Sequence, residues 1–394
     1  MIYKSFFLAV YLTKNVDVDI LKYFDYAATT PMDPDAMKIW IEASQRYFGN
    51  SASLHDIGTD ASGLLDVSRQ QLAQILGVKK ESVVFTSGGT ESNILALETF
   101  LASQNRTQNH IIISQTEHAS LANYVKKLAE TGYEVTYLRH LEDGRVDVDH
   151  LCECINERTC MVIVQHINSE TGVIQPIIEI GQITQERGIF LHVDCVQSFG
   201  KFPLQSICAL CDSLSISSHK VYGPKGVGAV IFPKISELTP PIPNMTHEAG
   251  FRAGTVNVPG IAAFITAANA LVDQQKQEFI RIQALRDLCL NQLSDHTMDV
   301  QVIESSSQSP YILALTCRGL QGQYMLLELN RMGFSVSTGS ACQIGKQDPS
   351  RTMMALGKSE EDAHQLIRIS FGKSTTEDDV QNLSQGIIDI ITVS

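Results

Sequence analysis

The chain has 394 residues, of which 44% are hydrophobic and 19% charged, and its formal net charge is −13 at pH 7. This is the composition of a globular protein, and the length predicts two lobes rather than one. The negative balance, with no block of Lys or Arg, argues against direct binding to nucleic acid, whose phosphates need clustered cations. We therefore expect small-molecule chemistry or protein partners.

The cysteines and the N-terminus indicate the compartment. Nine cysteines are scattered along the chain, which fits a reducing compartment better than a disulfide framework, so we expect a cytoplasmic protein. The apolar run in "MIYKSFFLAVYL" is too short to span a bilayer, and no small-residue cleavage site follows before "KNVDVDILK". We expect no membrane association and treat residues 1–22 as a peripheral extension.

Between Lys79 and Phe232, short β-rich runs alternate with amphipathic segments. The runs that predict strands are "SVVFT" (82–86), "HIIIS" (110–114), "EVTYL" (134–138), "CMVIVQ" (160–165), "IFLHVD" (189–194), "SLSIS" (213–217) and "GAVIF" (228–232). Segments such as "SLANYVKKLAETG" and "IIEIGQITQERG" have helical spacing and end at a glycine that suits a left-handed cap. The alternation predicts an α/β domain with a mostly parallel seven-stranded sheet, whose ligands lie outside the carboxyl ends of the strands.

A long loop divides this region from the C-terminal part of the chain. Residues 233–260 are rich in Pro and Gly, residues 261–293 have helical spacing, and shorter strands and helices fill the remainder. We predict a large domain at 37–260. A smaller α+β domain would be formed by 23–36 and 261–394.

Lys220 is unusual because it lies in "SISSHKVYGPKGVG", between an apolar strand and a Gly-Pro turn. An unpaired ammonium group is rarely buried, because its removal from water is costly. Lys220 is therefore either a surface lysine at a turn or a chemically active one. Lys225 is the alternative reactive lysine, although "GPKGVG" indicates an exposed turn.

Three other strand ends carry small or polar residues. "SGGTESN" predicts a glycine-rich turn before a helix that starts near Glu91, where free amides and Thr90 suit a phosphate or form a plain turn. Asp194, with Gln197 three residues later, suits either a helix cap or a cationic ring nitrogen. His118 is either a structural hydrogen-bonding residue or a ring that stacks on a planar cofactor.

Together these positions match the requirements of pyridoxal phosphate. This cofactor needs a phosphate site, an acid opposite its pyridinium nitrogen, a stacked ring and a lysine that holds it as a Schiff base. Lys220 supplies the last of these. Partial burial would favour the neutral amine that attacks an aldehyde.

From Tyr23 onward, eight motifs resemble, in order, those of the cysteine desulfurases. They are "YFDYAATTPMDP", "FTSGGTESN", "TEHAS", "HVDCVQSFGK", "SSHKVYGPKGVG", "FRAGTVNVP", "STGSAC" and "RISFG". Cysteine desulfurases are class V pyridoxal-phosphate transferases of fold type I. The resemblance implies that fold, a homodimer, and removal of sulfur from L-cysteine to give L-alanine and a persulfide on an enzyme cysteine.

The resemblance also implies roles by position. Lys220 would form the Schiff base, and His118 would stack on the ring and is a candidate to manage the thiol proton. Asp194 would pair with the pyridinium nitrogen, and Gln197 would contact the phenolic oxygen. Arg368 would bind the substrate carboxylate, a task suited to its planar guanidinium. The phosphate would be held by five residues, the last reaching across from the second subunit: Gly89, Thr90, Ser217, His219 and Thr255.

A second nucleophile separates desulfurases from ordinary aminotransferases. "STGSACQIGKQDPSRTMMALG" has the Gly, Ser, Gln and Asp content of a mobile loop, and it contains Cys342 with Lys346 four residues later. A free cysteine is usually buried and inert, but exposure and nearby positive charge favour the thiolate. In the family, the matching cysteine takes the sulfur, and the long loop resembles that of the housekeeping branch.

The remaining cysteines and two departures from the family complete the pattern. Cys208 and Cys211 form a CxxC motif without a second ligand pair, so we expect no metal site. Cys195 follows Asp194 and is a candidate to line the pocket. Ser169 stands in place of the asparagine that would bond the phenolic oxygen, and Ala249 stands where an arginine is often found.

Two rival functions stay open on the residues alone. One is another class V reaction, such as transamination or selenocysteine lysis, in which Cys342 would be incidental. The other is a non-catalytic binding protein.

The sulfur acceptor is undecided among an iron-sulfur cluster scaffold, quinolinate synthase and a tRNA-thiolating enzyme. The motifs "ACQIGKQDPS", "SLHDIG" and "QHINSETG" resemble the desulfurase type associated with NAD biosynthesis.

Overall fold

The computed structural model describes residues 22–104, 108–242, 244, 246–296, 298–339 and 349–393. Over these residues the strands are β1 (Lys22–Tyr23), β2 (Val83–Thr86), β3 (His110–Ser114), β4 (Glu134–Leu138), β5 (Thr159–Gln165), β6 (Phe190–Asp194), β7 (Ser213–Ser217), β8 (Gly228–Ile231), β9 (Val300–Ile303), β10 (Ile312–Cys317), β11 (Phe334–Ser335) and β12 (Leu366–Ser370).

The α-helices of the same residues begin with α1 (Pro34–Arg46), α2 (Asp56–Leu76), α3 (Gly89–Ser103), α4 (Ala119–Glu130), α5 (Val148–Cys154), α6 (Ile177–Glu186) and α7 (Gln205–Leu210). They continue with α8 (Val258–Asp273), α9 (Gln275–Leu293), α10 (Gly322–Arg331), α11 (Arg351–Ala355), α12 (Glu360–His364) and α13 (Glu377–Val393).

A seven-stranded sheet forms the centre of the large domain. Its strand order is β2-β8-β7-β6-β5-β3-β4. The five strands from β7 to β4 are parallel, while β8 runs antiparallel to both of its neighbours. Six of the seven strands are buried along their whole length, and β4 is the partly exposed edge. The predicted α/β fold with a mostly parallel seven-stranded sheet is confirmed, and the strand ends agree within one residue.

Glycines end the helices between strands, as their positions predict. Gly132 and Gly188 follow α4 and α6 with φ of 104° and 64°, in the left-handed region that favours glycine. The start of α3 differs from the prediction. The helix begins at Gly89 rather than near Glu91, because Gly88, with φ of 150°, turns the chain directly into the first helical residue.

A second core lies around the small antiparallel sheet β12-β10-β9. Apolar residues of α9, α10 and α13 pack with this sheet. Phe24 belongs to the same core, because β1 pairs in parallel with β11 at the edge of this region. Lys22, which the sequence assigned to the extension, already lies in β1 and forms an ion pair with Asp379 at 2.8 Å.

The run predicted to be helical over 261–293 is two helices, α8 and α9, which are separated at Gln274. The apolar residues of α8 belong to the core of the large sheet, together with Ala36 of α1. The predicted boundary near Gly260 stays a prediction. From this packing we propose that the small domain begins near Gln274 instead.

Within the described ranges, no helix is both long and apolar enough to cross a membrane.

Candidate active site

A cavity lies at the carboxyl ends of the parallel strands. Turns that follow β2, β3, β5, β6 and β7 form most of its wall, and residues near β1 and β12 close it. Of the eleven predicted site residues, nine line this cavity: Gly89, Thr90, His118, Asp194, Gln197, Ser217, His219, Lys220 and Arg368. A sheet of this kind binds its ligands at this edge, as the sequence predicts.

Lys220 ends a short 3₁₀ helix, Ser218–Lys220, directly after β7. Its Nζ donates hydrogen bonds to the backbone oxygens of Ala27 at 2.6 Å and Ala28 at 2.7 Å. These carbonyls belong to the segment after β1 and direct the amine into the cavity. Lys225, the alternative reactive lysine, is exposed and does not line this cavity.

Asp194 ends β6 and is held by neutral donors. Its carboxylate accepts hydrogen bonds from Asn93 Nδ2 at 2.8 Å and from the backbone amide of Val196 at 2.9 Å. Asn93 Oδ1 lies 3.1 Å from His192 Nε2, and burial lowers the pKa of His192 to about 3. His192 is therefore a neutral imidazole, which fixes Asn93 without adding charge near the carboxylate.

The first turn of α3 forms part of the cavity lining. Gly88 precedes the helix and offers no side chain to accept from its free amides, so these stay available to an anion. A Cβ at Gly89 would lie 2.8 Å from Val196 Cγ2, so the backbone approaches the adjacent loop as only glycine allows. Ser217 Oγ is buried here without a hydrogen-bond partner. Burial, Lys220 and Lys225 lower the pKa of His219 to about 4, so this ring is neutral.

His118 and Gln197 also line the cavity. His118 precedes α4 and caps it, since its Nδ1 accepts from the backbone amide of Ser120 at 3.2 Å. Gln197 donates from Nε2 to the backbone oxygen of Ala27 at 2.9 Å, whereas its Oε1 is buried and has no partner. An amide oxygen left in this state is a ready acceptor for a ligand hydroxyl.

Arg368 of β12 is oriented from three sides. Its guanidinium pairs with Asp25 at 2.7 Å and donates to the backbone oxygens of Ser169 and Gly339, both at 2.9 Å. The Nε–H is buried and has no hydrogen-bond partner. The guanidinium is thus held rigidly while its Nε–H stays uncommitted, which suits capture of a carboxylate.

Several residues in or beside the cavity were missed by the sequence analysis. They are Asp25 beside Arg368, Asn93 beside Asp194, and the lining residues Glu117, Glu170 and Arg351. Asn93 could have been found, because it follows Gly89 by one helical turn and therefore shares its face. Burial and the Asp194 charge raise the pKa of Glu117, which accepts from the Gln165 amide at 2.7 Å. No local signal marks Asp25, whose partner is far away in the chain.

Two predicted residues are not placed in this cavity. Thr255 is exposed and lies outside the lining, so its predicted role across a dimer interface stays a prediction. Cys342 lies outside the described residues.

The other cysteines do not form a site. Cys195 does not line the cavity, contrary to the expectation, because its side chain lies in the core cluster opposite the Asp194 carboxylate. Cys208 and Cys211 are free and buried in the same cluster, and burial raises the pKa of each thiol. Across the part of the chain that the structure describes, no group of His, Cys, Asp and Glu is arranged to hold a metal.

The cavity fits pyridoxal phosphate on three orphaned polar atoms. Ser217 Oγ, Gln197 Oε1 and Arg368 Nε belong to residues that line the cavity, and each is buried without a partner. Buried polar groups are normally satisfied, so these atoms indicate a polar ligand that spans the cavity. Lys220 and Asp194 line the same cavity, and an amine and a carboxylate are the groups that suit an aldehyde and a ring nitrogen.

Comparison with known proteins decides the family. A family model described as Aminotransferase class-V matches residues 22–383. The chain belongs to the class-V aminotransferase family.

Within the class-V aminotransferases, its relatives are desulfurases. "Putative cysteine desulfurase NifS" of Bacillus subtilis (strain 168) is 43% identical over 364 residues, 92% of each chain. "Cysteine desulfurase IscS" of Serratia proteamaculans (strain 568) is 36% identical over 366 residues, 91% of this chain and 89% of that relative. A solved "NifS-like protein" has a TM-score of 0.87 at 28% identity and covers 95% of this chain and 100% of its own. The expected resemblance to cysteine desulfurases, which are pyridoxal-phosphate enzymes of this class-V family, is confirmed.

Proposed function

We propose that this class-V aminotransferase homologue is a pyridoxal-phosphate-dependent cysteine desulfurase. It converts L-cysteine to L-alanine and keeps the sulfur as a persulfide on Cys342. The observation that carries the proposal is the convergence of Lys220, Asp194 and Arg368 on one cavity, which is lined with unpartnered polar atoms. These groups suit the aldehyde, the ring nitrogen and the substrate carboxylate in that order.

The cofactor would be held along the length of the cavity. Lys220 would hold its aldehyde carbon, Asp194 its ring nitrogen, and Gln197 its phenolic oxygen. The phosphate would lie against the amides of Gly89 and Thr90, with Ser217, His219 and the second subunit's threonine completing the site. When bound, the cofactor supplies an electron sink that makes the substrate Cα–H acidic.

The chain's own residues then orient the substrate and move its protons. Arg368 binds the carboxylate of L-cysteine, and Lys220 Nζ moves the proton at Cα. The Cys342 thiolate attacks the substrate sulfur, so an S–S bond forms as the Cβ–S bond breaks. The electron pair of that bond stays with the carbon skeleton, which takes up a proton and becomes L-alanine. The reaction needs no further oxidant or reductant.

A homodimer would complete the phosphate site. The phosphate end opens to the surface beside Thr90, Glu91 and Lys225, so a residue of a second subunit can enter there. Thr255 is exposed near Arg252, which is itself fixed to Glu91 at 2.9 Å. Exposed apolar side chains of α1, α2 and the segment between them offer an interface: Met37, Trp40, Ile41, Phe48, Leu54 and Ile57.

The persulfide would pass to an acceptor protein, since a sulfane sulfur on a cysteine is ready for transfer to another thiol. Candidate acceptors are an iron-sulfur cluster scaffold, quinolinate synthase and a tRNA-thiolating enzyme. A pull-down with the Cys342 persulfide trapped distinguishes them. Capture of a cluster scaffold without quinolinate synthase would reject the link to NAD biosynthesis.

Two measurements test the proposed function. Borohydride reduction of the holoenzyme followed by peptide mapping should place the cofactor on Lys220, and a cofactor on Lys225 or on no lysine would refute the assignment. Cys342→Ala should keep the visible absorbance of bound cofactor and lose alanine release from L-cysteine. Unchanged alanine release in that variant would favour another class V reaction.

A further inference from the structure

Glu91 places a carboxylate on the turn that is proposed to bind the cofactor phosphate. It lies in the first turn of α3, and its Oε2 accepts a hydrogen bond from the backbone amide of Ser87 at 2.5 Å. Glu91 lines the surface opening of this site together with Gly89, Thr90 and Lys225. An anionic side chain at this place competes with any incoming anion for the positive end of the helix. The carboxylate therefore needs a cation if a phosphate is to bind beside it.

Arg252 supplies that cation. Its Nε donates a hydrogen bond to Glu91 Oε1 at 2.9 Å, so Ser87 and Arg252 each hold one oxygen of the carboxylate. The side chains of Arg252 and Glu91 are 22% and 33% exposed, so solvent screens this pair less than an ordinary surface ion pair. Burial alone would raise the pKa of Glu91, but the hydrogen bonds from Ser87 and the Arg252 charge outweigh it and lower the pKa. The carboxylate is thus charged near pH 7.

The segment that carries Arg252 is anchored to the strand that leads into the turn. The buried carboxylate of Glu248 accepts from Arg69 Nη1 at 2.8 Å and Nη2 at 2.7 Å. It also accepts from the backbone amide of Phe85 in β2 at 2.7 Å. Phe251, directly before Arg252, is buried in an apolar core cluster. The backbone from which Arg252 extends is therefore held beside β2, and its guanidinium has a defined place.

The other basic side chains at the opening are less suited to neutralise Glu91. Burial, with the charges of Lys220 and Lys225, lowers the pKa of His219 to about 4, so His219 carries no charge near neutral pH. Lys225 is exposed to solvent, which screens its charge. A phosphate ester carries about −1.5 to −2 charges at pH 7. Without Arg252, an uncompensated carboxylate would stand next to this dianion.

We propose that Arg252 is a positioning residue for the cofactor phosphate, because it neutralises Glu91 and keeps that carboxylate turned toward Ser87. The inference rests on the proposed function, since the phosphate is that of pyridoxal phosphate. Arg252 acts through Glu91 rather than as a phosphate ligand. Its role therefore differs from the one proposed for Thr255, which lies three residues later and would act in the other subunit.

The test titrates apoenzyme variants with pyridoxal phosphate and with pyridoxal, which lacks the phosphate, and follows binding by visible absorbance. Arg252→Ala should weaken binding of pyridoxal phosphate about tenfold and binding of pyridoxal less than about twofold, since only the first ligand meets the uncompensated charge. Arg252→Ala combined with Glu91→Gln should return the affinity to within about threefold of the wild type. Glu91→Gln alone should bind pyridoxal phosphate at least as tightly as the wild type, because its amide oxygen still accepts from Ser87.

Arg145→Ala is the matched control. It breaks a partly buried ion pair with Asp143 at 2.7 Å, and neither residue lines the cavity or its opening. Both affinities should stay unchanged in this variant. The ratio of affinities between the wild type and Arg252→Ala should also shrink as NaCl is raised, since salt screens the repulsion between carboxylate and phosphate.

Two results would overturn the inference. One is an equal loss of affinity for pyridoxal and pyridoxal phosphate in Arg252→Ala, and the other is a double variant that binds as weakly as Arg252→Ala. Either would mean that Arg252 supports the fold or the interface instead. If the wild type binds no pyridoxal phosphate, the proposed function fails, and inorganic phosphate still decides the role of Arg252. Phosphate should then raise the Tm of the wild type and of the double variant but not of Arg252→Ala, and equal Tm shifts, including none, would reject that role.

Discussion

Lys201 is a buried lysine outside the lining of the cavity. Its exposed fraction is 7%, and within the described ranges it makes no ion pair. Its Nζ lies 5.4 Å from the centre of the Tyr311 ring, a cation–π contact that only partly replaces water. Burial, with Lys220 and Arg368 as like charges, lowers the pKa of Lys201 to about 7. Glu278 and Arg281, the charges next to Tyr311, are paired with each other at 2.9 Å.

This burial predicts a pH-dependent stability. Because the folded pKa lies below the ordinary value of 10.5, the folded protein binds fewer protons than the unfolded chain between these values, and stability rises with pH across that window. Lys201→Met removes the free-energy cost of burying a charged amine. We expect its free energy of unfolding to exceed that of the wild type by about 1–3 kcal/mol near pH 7, and the difference to shrink toward about pH 10.

Urea unfolding of the holoenzyme over this pH range measures the effect. Lys201→Arg is the control, since arginine stays charged and should show no such pH trend. An advantage of Lys201→Met that is the same at every pH would mean that Lys201 does not titrate in the folded protein.

Asn93 gives a second prediction for a single residue. Asn93→Ala removes one donor to the Asp194 carboxylate, and a hydrogen bond to a charged group contributes about 1.5–3 kcal/mol. We expect cofactor affinity to fall about tenfold to a hundredfold, measured by titration of the apoenzyme with pyridoxal phosphate. Asn269→Ala removes the same donor atom, Nδ2, from a bond to the neutral amide oxygen of Gln71 at 2.8 Å, away from the cavity, and should leave the affinity unchanged.

The sequence alone was sufficient to place residues that lie next to a strand that can be recognised in the sequence. Lys220, Asp194 and His118 each follow a strand that its burial pattern identifies, so topology brings them to one edge of the sheet. Asp25 and Lys201 could not be found in this way. The first is paired with Arg368, which lies 343 residues away in the chain, and the second differs from a surface lysine only through tertiary burial, which a single sequence does not display.

Among the elements, the turn from β2 into α3 depends on close backbone packing. A Cβ on Gly228 of β8 would lie 2.7 Å from Gly88 Cα and 2.8 Å from the backbone oxygen of Ile216. Gly228→Ala should therefore displace the turn that presents its amides to the phosphate. We expect cofactor affinity to fall about tenfold or more, since overpacking costs about 1–3 kcal/mol.

Gly63 of α2 is the matched control for that change. It is exposed, and nothing lies within 4 Å of the Cβ it would gain. Gly63→Ala should keep cofactor affinity and stabilise the protein by about 0.5–1 kcal/mol, because alanine is the better helix former. Equal affinities for Gly228→Ala and Gly63→Ala would show that the turn tolerates the displacement.

The ends of an element could be predicted where the element is buried along its whole length. They were harder to predict where tertiary packing determines where a helix ends. The buried strands are apolar runs in the sequence, and their predicted ends differ from those in the structure by at most one residue. The break between α8 and α9 was missed, since Gln274 is neither proline nor glycine and the helical spacing continues across it. What separates the helices is that α8 packs on the large core and α9 on the small one.

At the scale of the whole molecule, the segment after β1 joins the two cores. Phe24 belongs to the small core, and Tyr26 belongs to the large one. Between and beside them, Asp25 holds Arg368, and the backbone oxygens of Ala27 and Ala28 hold Lys220. The same short segment therefore positions both the proposed substrate-binding cation, Arg368, and the proposed reactive amine, Lys220, beside the point where it passes from one core to the other.

The proposed dimer gives a prediction that can be tested only by mixing two different variants of the chain. If the phosphate site borrows Thr255 from the second subunit, Thr255→Val homodimers should bind the cofactor more weakly, by about tenfold for one lost hydrogen bond to a charged group. Lys220→Ala homodimers should be inactive. In a mixed dimer, however, the subunit that keeps Lys220 receives an intact threonine from its Lys220→Ala partner.

Mixing the two variants after subunit exchange should therefore restore alanine release at low cofactor concentration, although neither homodimer shows it. About half of the chains would be in mixed dimers at equal mixing, each with one complete site, so recovery approaches about a quarter of wild-type activity per chain. If Thr255 acted within its own subunit, the surviving Lys220 site would still carry valine, and no recovery would appear. Suppose that mass spectrometry verifies subunit exchange and alanine release is still not restored. The second subunit would then not contribute Thr255 to the phosphate site.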